Sequence, residues 1–486
     1  MSFVPGDPYS ADPALLVGTD AERRRPRWLV PVVASLAVAG LALSALSSWA
    51  IWQLPTGPAA AVSGVPSSRQ PTSETAVEAA VRQILVRRGA AVLRHDKAGF
   101  LADLDPSRSN LRAQQTAIYD GLAKLDFARF SYRPNGSAFN PGGHGTGKAA
   151  TTHIAGVLAT YQLQGYDTRP VVEAMAVTFV QRDHRWWIAS DRDVDDELPA
   201  AGHAEPWDDG QVGVAKGRHS LVIGQARDDA TLQRVADAVD RAVTADLVFW
   251  PAGNGRTRWA GRVVVYVPTE QREFTSLFRG SKQTADGVVA VAIPVYDHMY
   301  FDAYGNGHPY GEVSGSRIII NPKYFRPSSS FFAVTLRHEV SHVAAQPITS
   351  PGTPSWLVEG LAEYVGWRQS DPSRTFFARG VDRRTAEQIN ARTFHLTLPS
   401  SSTFYVGSSA TIASRYTAGF LVCAYIQHRY GESRLKTFAT RMDAAKTPSK
   451  ERAVLKSALQ KTFGLSTTGL QNGVTAWMHG FTVRHR

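Results

Sequence analysis

Two histidines and a glutamate interrupt the apolar segment SSSFFAVTLRHEVSHVAAQP, residues 328–347. Serines that can cap a helix precede its apolar part and Pro347 ends it, so the pattern predicts a helix. Within a helix, His338 and His342 lie on one face, and both imidazoles can point at a single metal ion. Glu339 is rotated about 100° around the axis, where a base can take a proton from water held by that ion. An ordinary helix with two incidental histidines is the alternative.

A second segment, TPSWLVEGLAEYVGW (residues 353–367), carries two carboxylates in similarly apolar surroundings. Thr353 is a candidate N-cap, and Pro354 suits the first helical position. Glu359 and Glu363 then lie four residues apart on one helix face. Burying two carboxylates among apolar side chains costs free energy unless a positive charge faces them. A zinc ion held by two neutral histidines is such a charge, so the second segment favours the metal interpretation of the first.

Together the two motifs resemble those of the gluzincin branch of zinc metallopeptidases, in which a later helix carries an E-G-x-A-type pattern. The resemblance implies that Glu359 is the third zinc ligand beside His338 and His342. It also implies that Glu363 is an outer carboxylate, which accepts an N–H from a ligating histidine and orients it. Spacing alone leaves the reverse assignment open, with Glu363 on the metal and Glu359 outside.

The same resemblance implies zinc-dependent hydrolysis of a peptide or protein substrate, with Glu339 as general base. It further implies a tyrosine on a later helix that stabilises the oxyanion; Tyr416 is the candidate and His428 a weaker one. A metzincin would have Gly at position 345 and His at position 348, where this sequence has Ala345 and Ile348, so the metzincin pattern does not fit. The exopeptidase signature G-x-M-E-N is absent from the sequence, which argues against an aminopeptidase and leaves an endopeptidase or an enzyme of unknown specificity. A binding or scaffolding protein with an inactive peptidase-like domain is the alternative function.

A stretch without charged residues extends from Trp28 to Leu54. It exceeds the roughly 20 residues that a helix needs to cross a bilayer, so it predicts a single transmembrane helix in the cell membrane. Arginines precede it, which places the N-terminus in the cytoplasm and the catalytic domain outside. A cleavable signal peptide is the alternative, although its apolar core would be unusually long. The flanking regions are interpreted as a disordered cytoplasmic tail (1–27) and a flexible stalk (55–73).

The rest of the sequence predicts two folded regions of the α+β class. Residues 74–194 combine a helical pattern with strand-like segments, two of which flank a turn at 182–185 and predict a hairpin. This order resembles the cone-shaped folds of the nuclear-transport-factor-like type. After a linker at 195–217, residues 218–486 predict a gluzincin-like domain with a mixed sheet followed by a helical lobe. The strand SRIIINP (316–322) is a candidate sheet edge for an extended peptide substrate.

Charge and motif content argue against other functions. The formal net charge of +11 is spread thinly and forms no basic stripe interleaved with aromatics, so no nucleic-acid partner is predicted. The loop GGHGTGKA (142–149) has the spacing of a phosphate-binding P-loop, but Ala149 stands where magnesium needs Ser or Thr. A single cysteine, Cys423, excludes an intrachain disulfide.

Overall fold

The computed structural model describes residues 75–139, 152–191, 205–208, 210–225, 229–253, 259–278, 288–301, 307–368 and 380–483. The predicted tail, transmembrane helix and stalk lie outside the described residues, as does the loop at 142–149. The described helices and strands build two sheets, with helices packed against them.

The first sheet is antiparallel, with strands in the order β1-β2-β3-β4. Its strands and the helices before it are α1 (Ala76–Leu93), α2 (Lys97–Leu101), α3 (Ser109–Leu122), β1 (Phe127–Phe139), β2 (Thr152–Leu163), β3 (Val171–Arg182) and β4 (Arg185–Ser190). Helix α1 begins with a capping box, in which Thr75 and Glu78 bond each other's backbone N–H groups. Asp183 and His184 turn the chain between β3 and β4 with positive φ angles, which confirms the predicted hairpin.

The second sheet is mixed, and its strands are ordered β5-β6-β7-β9-β8. Its elements are β5 (Val212–Lys216), β6 (Ser220–Gln225), α4 (Asp229–Leu247), β7 (Val263–Val267), α5 (Gln271–Phe278), β8 (Ala290–Phe301) and β9 (Gly307–Ile320). Strands β6, β7 and β9 run parallel, whereas β5 and β8 pair antiparallel with their neighbours. The prediction that residues 316–322 form a sheet edge is wrong, because β9 lies between β7 and β8. Of the described strands, β8 occupies that edge.

Helices follow the mixed sheet. They are α6 (Ser330–Ala345), α7 (Ser355–Trp367), α8 (Arg383–Asn390), α9 (Ser409–Tyr430), α10 (Glu432–Met442), α11 (Glu451–Phe463) and α12 (Thr467–Met478). Their apolar faces share one core with helix α4 and with the face of the mixed sheet on which α4 packs. Helix α7 is buried almost all round, which explains why its sequence is apolar on every face except at two glutamates.

Helices α7 and α9 cross with their backbones in direct contact, because each has a glycine at the crossing point. A Cβ atom added to Gly360 would overlap the carbonyl oxygen of Gly419, and one added to Gly419 would overlap that of Trp356. Only glycine allows so close an approach of two helix backbones. The crossing therefore sets the distance between side chains on α7 and those on the facing side of α9.

A buried polar network joins the two sheets. Arg317 of β9 donates hydrogen bonds to both carboxylate oxygens of Asp167, between β2 and β3, at 2.8 and 3.0 Å. Tyr161 and Tyr266 each donate to Glu205, at 2.5 and 2.6 Å. A buried charge is costly unless it is paired, so this network and the apolar core around it hold the sheets together.

The predicted fold class is wrong in one respect, since it included a transmembrane helix. Among the described residues, no helix is long and apolar enough to cross a membrane. Even α9, which spans 22 residues, carries Arg415 and Arg429 on its less buried side. The described chain is α+β, with a half-barrel antiparallel sheet and a mixed sheet. The stretch from Trp28 to Leu54, on which the expectation rested, lies outside the described residues.

The glycine crossing gives a stability prediction. Gly419→Ala should lower the free energy of unfolding by about 1–3 kcal/mol, because the added methyl group forces α7 and α9 apart. Urea denaturation followed by circular dichroism measures this change. Gly469→Ala is the matched control, since a Cβ atom there meets nothing closer than 3.4 Å. Equal stability of the two variants would show that the crossing tolerates a side chain.

Candidate metal centre

Helix α6, which the sequence predicts, places His338 and His342 on one face. The hydroxyl of Ser329 caps it by accepting a hydrogen bond from the backbone N–H of Phe332. His338 and His342 turn their Nε2 atoms toward each other, 3.0 Å apart. Their ring centroids are 4.7 Å apart. His338 is 1% exposed, so its ring nitrogens must find their partners inside the protein.

Helix α7 brings two carboxylates to the same place. Glu359 and Glu363 are 0% and 5% exposed. Pro354 occupies the N-cap position, and no side chain caps the helix. The predicted capping role of Thr353 is wrong, because its hydroxyl instead accepts a hydrogen bond from the backbone N–H of Ser350. The predicted helix itself is confirmed.

The ligand atoms converge as a zinc ion would require. Glu359 Oε2 lies 3.3 Å from the Nε2 atoms of both His338 and His342. This buried oxygen has no hydrogen-bond partner. Ligand atoms about 2.0–2.1 Å from a tetrahedral zinc ion are separated from one another by about 3.3 Å. The three donors therefore fit zinc in type and in spacing.

Glu363 faces the other side of the His338 ring. Its Oε1 atom lies 3.3 Å from His338 Nδ1, and its Oε2 atom accepts a hydrogen bond from Trp367 Nε1 at 2.7 Å. A carboxylate in this position can accept a hydrogen bond from Nδ1–H, which leaves the Nε2 lone pair free for a metal. In this geometry Glu359, rather than Glu363, lies on the side where the ligand atoms meet.

The site shifts the pKa values of two carboxyl groups in opposite directions. Burial raises the pKa of Glu359, but the His342 and His338 imidazoles outweigh burial and hold this pKa at about 2. Burial raises the pKa of Glu339, and the same imidazoles only partly oppose it. Glu359 therefore stays an anion, while Glu339 becomes a better proton acceptor. Glu339 also interacts with the backbone of Ala292 in the edge strand β8.

Helix α9 brings Tyr416 to the cluster. Its ring lies 6.4 Å from the His338 ring, with the two planes 26° apart. The Tyr416 hydroxyl is buried and has no hydrogen-bond partner. Burial, together with the charge of Glu359, raises the pKa of Tyr416 well above its ordinary value, so the hydroxyl keeps its proton. The structure thus provides a buried O–H donor beside the ligand atoms.

His428, the weaker candidate for stabilising the oxyanion, lies on α9 away from the cluster. His428 is exposed and stacks on Trp477, with 5.3 Å between ring centroids. At about 1.5 Å per helical residue, it lies roughly 18 Å along the helix from Tyr416. The prediction that His428 could stabilise an oxyanion at this site is wrong.

One residue of the site, Tyr405, belongs to neither sequence motif. Tyr405 donates a hydrogen bond from its hydroxyl to Glu359 Oε1, at 2.6 Å. It lies in an irregular segment before α9, so no helical spacing connects it with α7. The signal in the sequence is local: two aromatic residues, Phe404 and Tyr405, interrupt a polar stretch. Large aromatic side chains tend to be buried, and in the structure both are.

No protein-family model matches this chain, and no curated protein matches it. The functional interpretation therefore depends on the geometry of the residues themselves. Within the described part of the chain, His338, His342 and Glu359 are the one group whose ligand atoms could hold a metal ion, all within 4.8 Å of one another.

The charges around His338 predict how metal binding depends on pH. Burial lowers the pKa of His338, but the Glu359 and Glu363 carboxylates outweigh burial and raise this pKa well above its ordinary value. Metal must displace the bound proton, so zinc affinity should rise as pH increases toward that pKa and fall in acid. Competition with a chelator at several pH values measures the dissociation constant. His428→Ala, which removes a histidine outside the cluster, should leave the profile unchanged. Zinc affinity that stays constant between acid and neutral pH would contradict the assignment of His338.

Proposed function

We propose that this chain is a zinc-dependent metallopeptidase that hydrolyses peptide bonds in a peptide or protein substrate. The observation that most supports this proposal is the convergence of His338, His342 and Glu359 with a buried carboxyl group, Glu339, beside them. Two imidazoles and one carboxylate leave a fourth tetrahedral position open, which distinguishes catalytic zinc sites from structural ones. Without a metal, only the rings of His338 and His342 would compensate the charge on Glu359 Oε2 in the protein interior.

A zinc ion held by His338, His342 and Glu359 would lower the pKa of a bound water to about 7 and polarise a carbonyl group. In this proposal Glu339 acts as the general base. Its carboxyl follows a metal-facing histidine on α6, and burial raises its pKa toward the range in which a base works best near neutral pH. It can take a proton from the attacking water and later deliver this proton to the leaving amine.

Tyr416 supplies the second electrophile in this proposal. Its O–H group has no internal partner, so it can donate a hydrogen bond to the oxyanion that forms during attack on a carbonyl. The raised pKa of the phenol keeps this proton in place at neutral pH. A preorganised donor in a buried site stabilises a developing charge more than one exposed to water does.

The edge strand β8 is the proposed site for the substrate backbone. It lies at the edge of the described mixed sheet, and the backbone of Ala292 lies beside Glu339. An extended peptide that pairs with a strand at a sheet edge gains main-chain hydrogen bonds along its length. Such pairing does not require a free chain terminus. It agrees with endopeptidase activity, as does the absence of an exopeptidase signature from the sequence.

The first test of this function removes the base. Glu339→Gln should lower kcat by about 10²–10⁴-fold, because the amide cannot accept a proton. Bound zinc should remain stoichiometric, since the three ligands are untouched. Hydrolysis of dye-labelled casein and elemental analysis of the full chain measure the two quantities.

A matched control for this test is Glu387→Gln, which changes an exposed glutamate of α8 in the same way. It should keep wild-type turnover. If Glu339→Gln hydrolyses casein as fast as the wild type, Glu339 is not the base. If the zinc-loaded wild type cleaves nothing, the inactive binding or scaffolding function replaces the peptidase proposal.

A second test concerns the oxyanion donor. Tyr416→Phe keeps the ring but removes the O–H group, so kcat should fall by about 10²–10³-fold while KM and zinc content change little. Tyr425→Phe is the control, because it removes a phenol from the same helix beside Trp477, away from the cluster. Equal kcat values for the two variants would exclude Tyr416 from the chemical step.

A further inference from the structure

The two carboxylate oxygens of Glu359 have different surroundings. Oε2 faces His338 and His342 and has no hydrogen-bond partner. Oε1 accepts a hydrogen bond from the Tyr405 hydroxyl at 2.6 Å, a short bond between two buried groups. A hydrogen bond to a charged acceptor is about twice as strong as one between neutral groups. The carboxylate is therefore fixed in one rotational orientation.

The segment that carries Tyr405 is itself anchored. The Arg415 guanidinium on α9 donates to the backbone carbonyls of Thr403, Phe404 and Val406, including a bond of 3.0 Å to Phe404. These contacts, which all come from Nη1 and share its two N–H groups, tie the irregular chain around Tyr405 to the helix that carries the proposed oxyanion donor. A guanidinium bonded to several carbonyls restrains a segment that lacks regular backbone bonding.

Two further contacts support the same segment. The Ser401 hydroxyl accepts a hydrogen bond from the backbone N–H of Ser355 at the start of α7, at 3.0 Å. The buried ring of Phe404 packs against the rings of Tyr405 and Tyr416, with centroids 4.8 and 5.2 Å away. The segment around Tyr405 is thus held from α7 and α9, two of the three helices that build the site.

We propose that Tyr405 is a positioning residue that restricts Glu359 to binding metal through Oε2 alone. This inference rests on the proposed metal site. A carboxylate without such a restraint can bind a metal through both oxygens. The second oxygen would then take the coordination position that water needs. The Tyr405 hydroxyl occupies Oε1 and leaves that position open.

The test uses Tyr405→Phe in the full chain, which keeps the packed ring and removes only the hydroxyl. Zinc affinity, measured by chelator competition, should weaken about 10–100-fold, as on loss of other groups that orient ligands. In the cobalt-substituted protein, the visible absorption should become weaker and move to shorter wavelength, because Glu359 then adds a fifth ligand atom. Tyr364→Phe is the control. It also removes the hydroxyl of a buried tyrosine, but Tyr364 lies on α7 and faces Phe249 rather than the cluster.

The outcomes separate this inference from the function on which it rests. If the wild type binds neither zinc nor cobalt, the metal centre itself is wrong. If the wild type binds both and Tyr405→Phe shows the same affinity and the same cobalt spectrum, the role of Tyr405 is wrong. Should Tyr405→Phe not fold, Arg415→Gln decides, because it loosens the segment and keeps the hydroxyl. The spectrum of this second variant should shift in the same direction, and an unchanged spectrum would overturn the inference.

Discussion

The centre of this structure depends on the burial of one charge. Glu359 has no exposed surface and sits in a helix that is apolar on every face except at Glu359 and Glu363. An ionised carboxylate in such surroundings costs several kcal/mol unless other groups compensate it. Two imidazoles face one of its oxygens and a phenol bonds the other. The site is therefore a set of polar groups from separate elements that surround a single anion, with one oxygen left for a cation.

Close helix packing makes this arrangement possible. Because Gly360 directly follows Glu359, the backbone of α9 can approach α7 next to the Glu359 side chain. The same approach brings Tyr416 to the ring of His338. Gly360 thus has a steric reason that is independent of any metal: a larger residue there would separate the proposed oxyanion donor from the proposed metal ligands.

The two sheets contribute rigidity rather than chemistry. The pair of Arg317 and Asp167 links the mixed sheet to the turn between β2 and β3 with neither charge exposed to water. Such pairs add specificity of arrangement more than net stability, because desolvation offsets much of their attraction. The apolar core around the pair includes residues of both sheets. The edge strand β8, which runs beside Glu339, is thereby supported on the side of the first sheet as well.

The sequence by itself determined the local features: the capped helix α6, the second helix with its two glutamates, the hairpin at 182–185, and the pair of His338 and His342 as ligand candidates, with Glu359 and Glu363 both open as the third. These depend on spacing within one element, which a helix or a turn fixes regardless of its neighbours. Tertiary structure decided which strand lies at the sheet edge, which oxygen of Glu359 faces the histidines, and that Tyr405 holds the other oxygen. Those contacts join residues far apart in the chain, and their formation depends on how whole elements pack. No local pattern in the sequence encodes that packing.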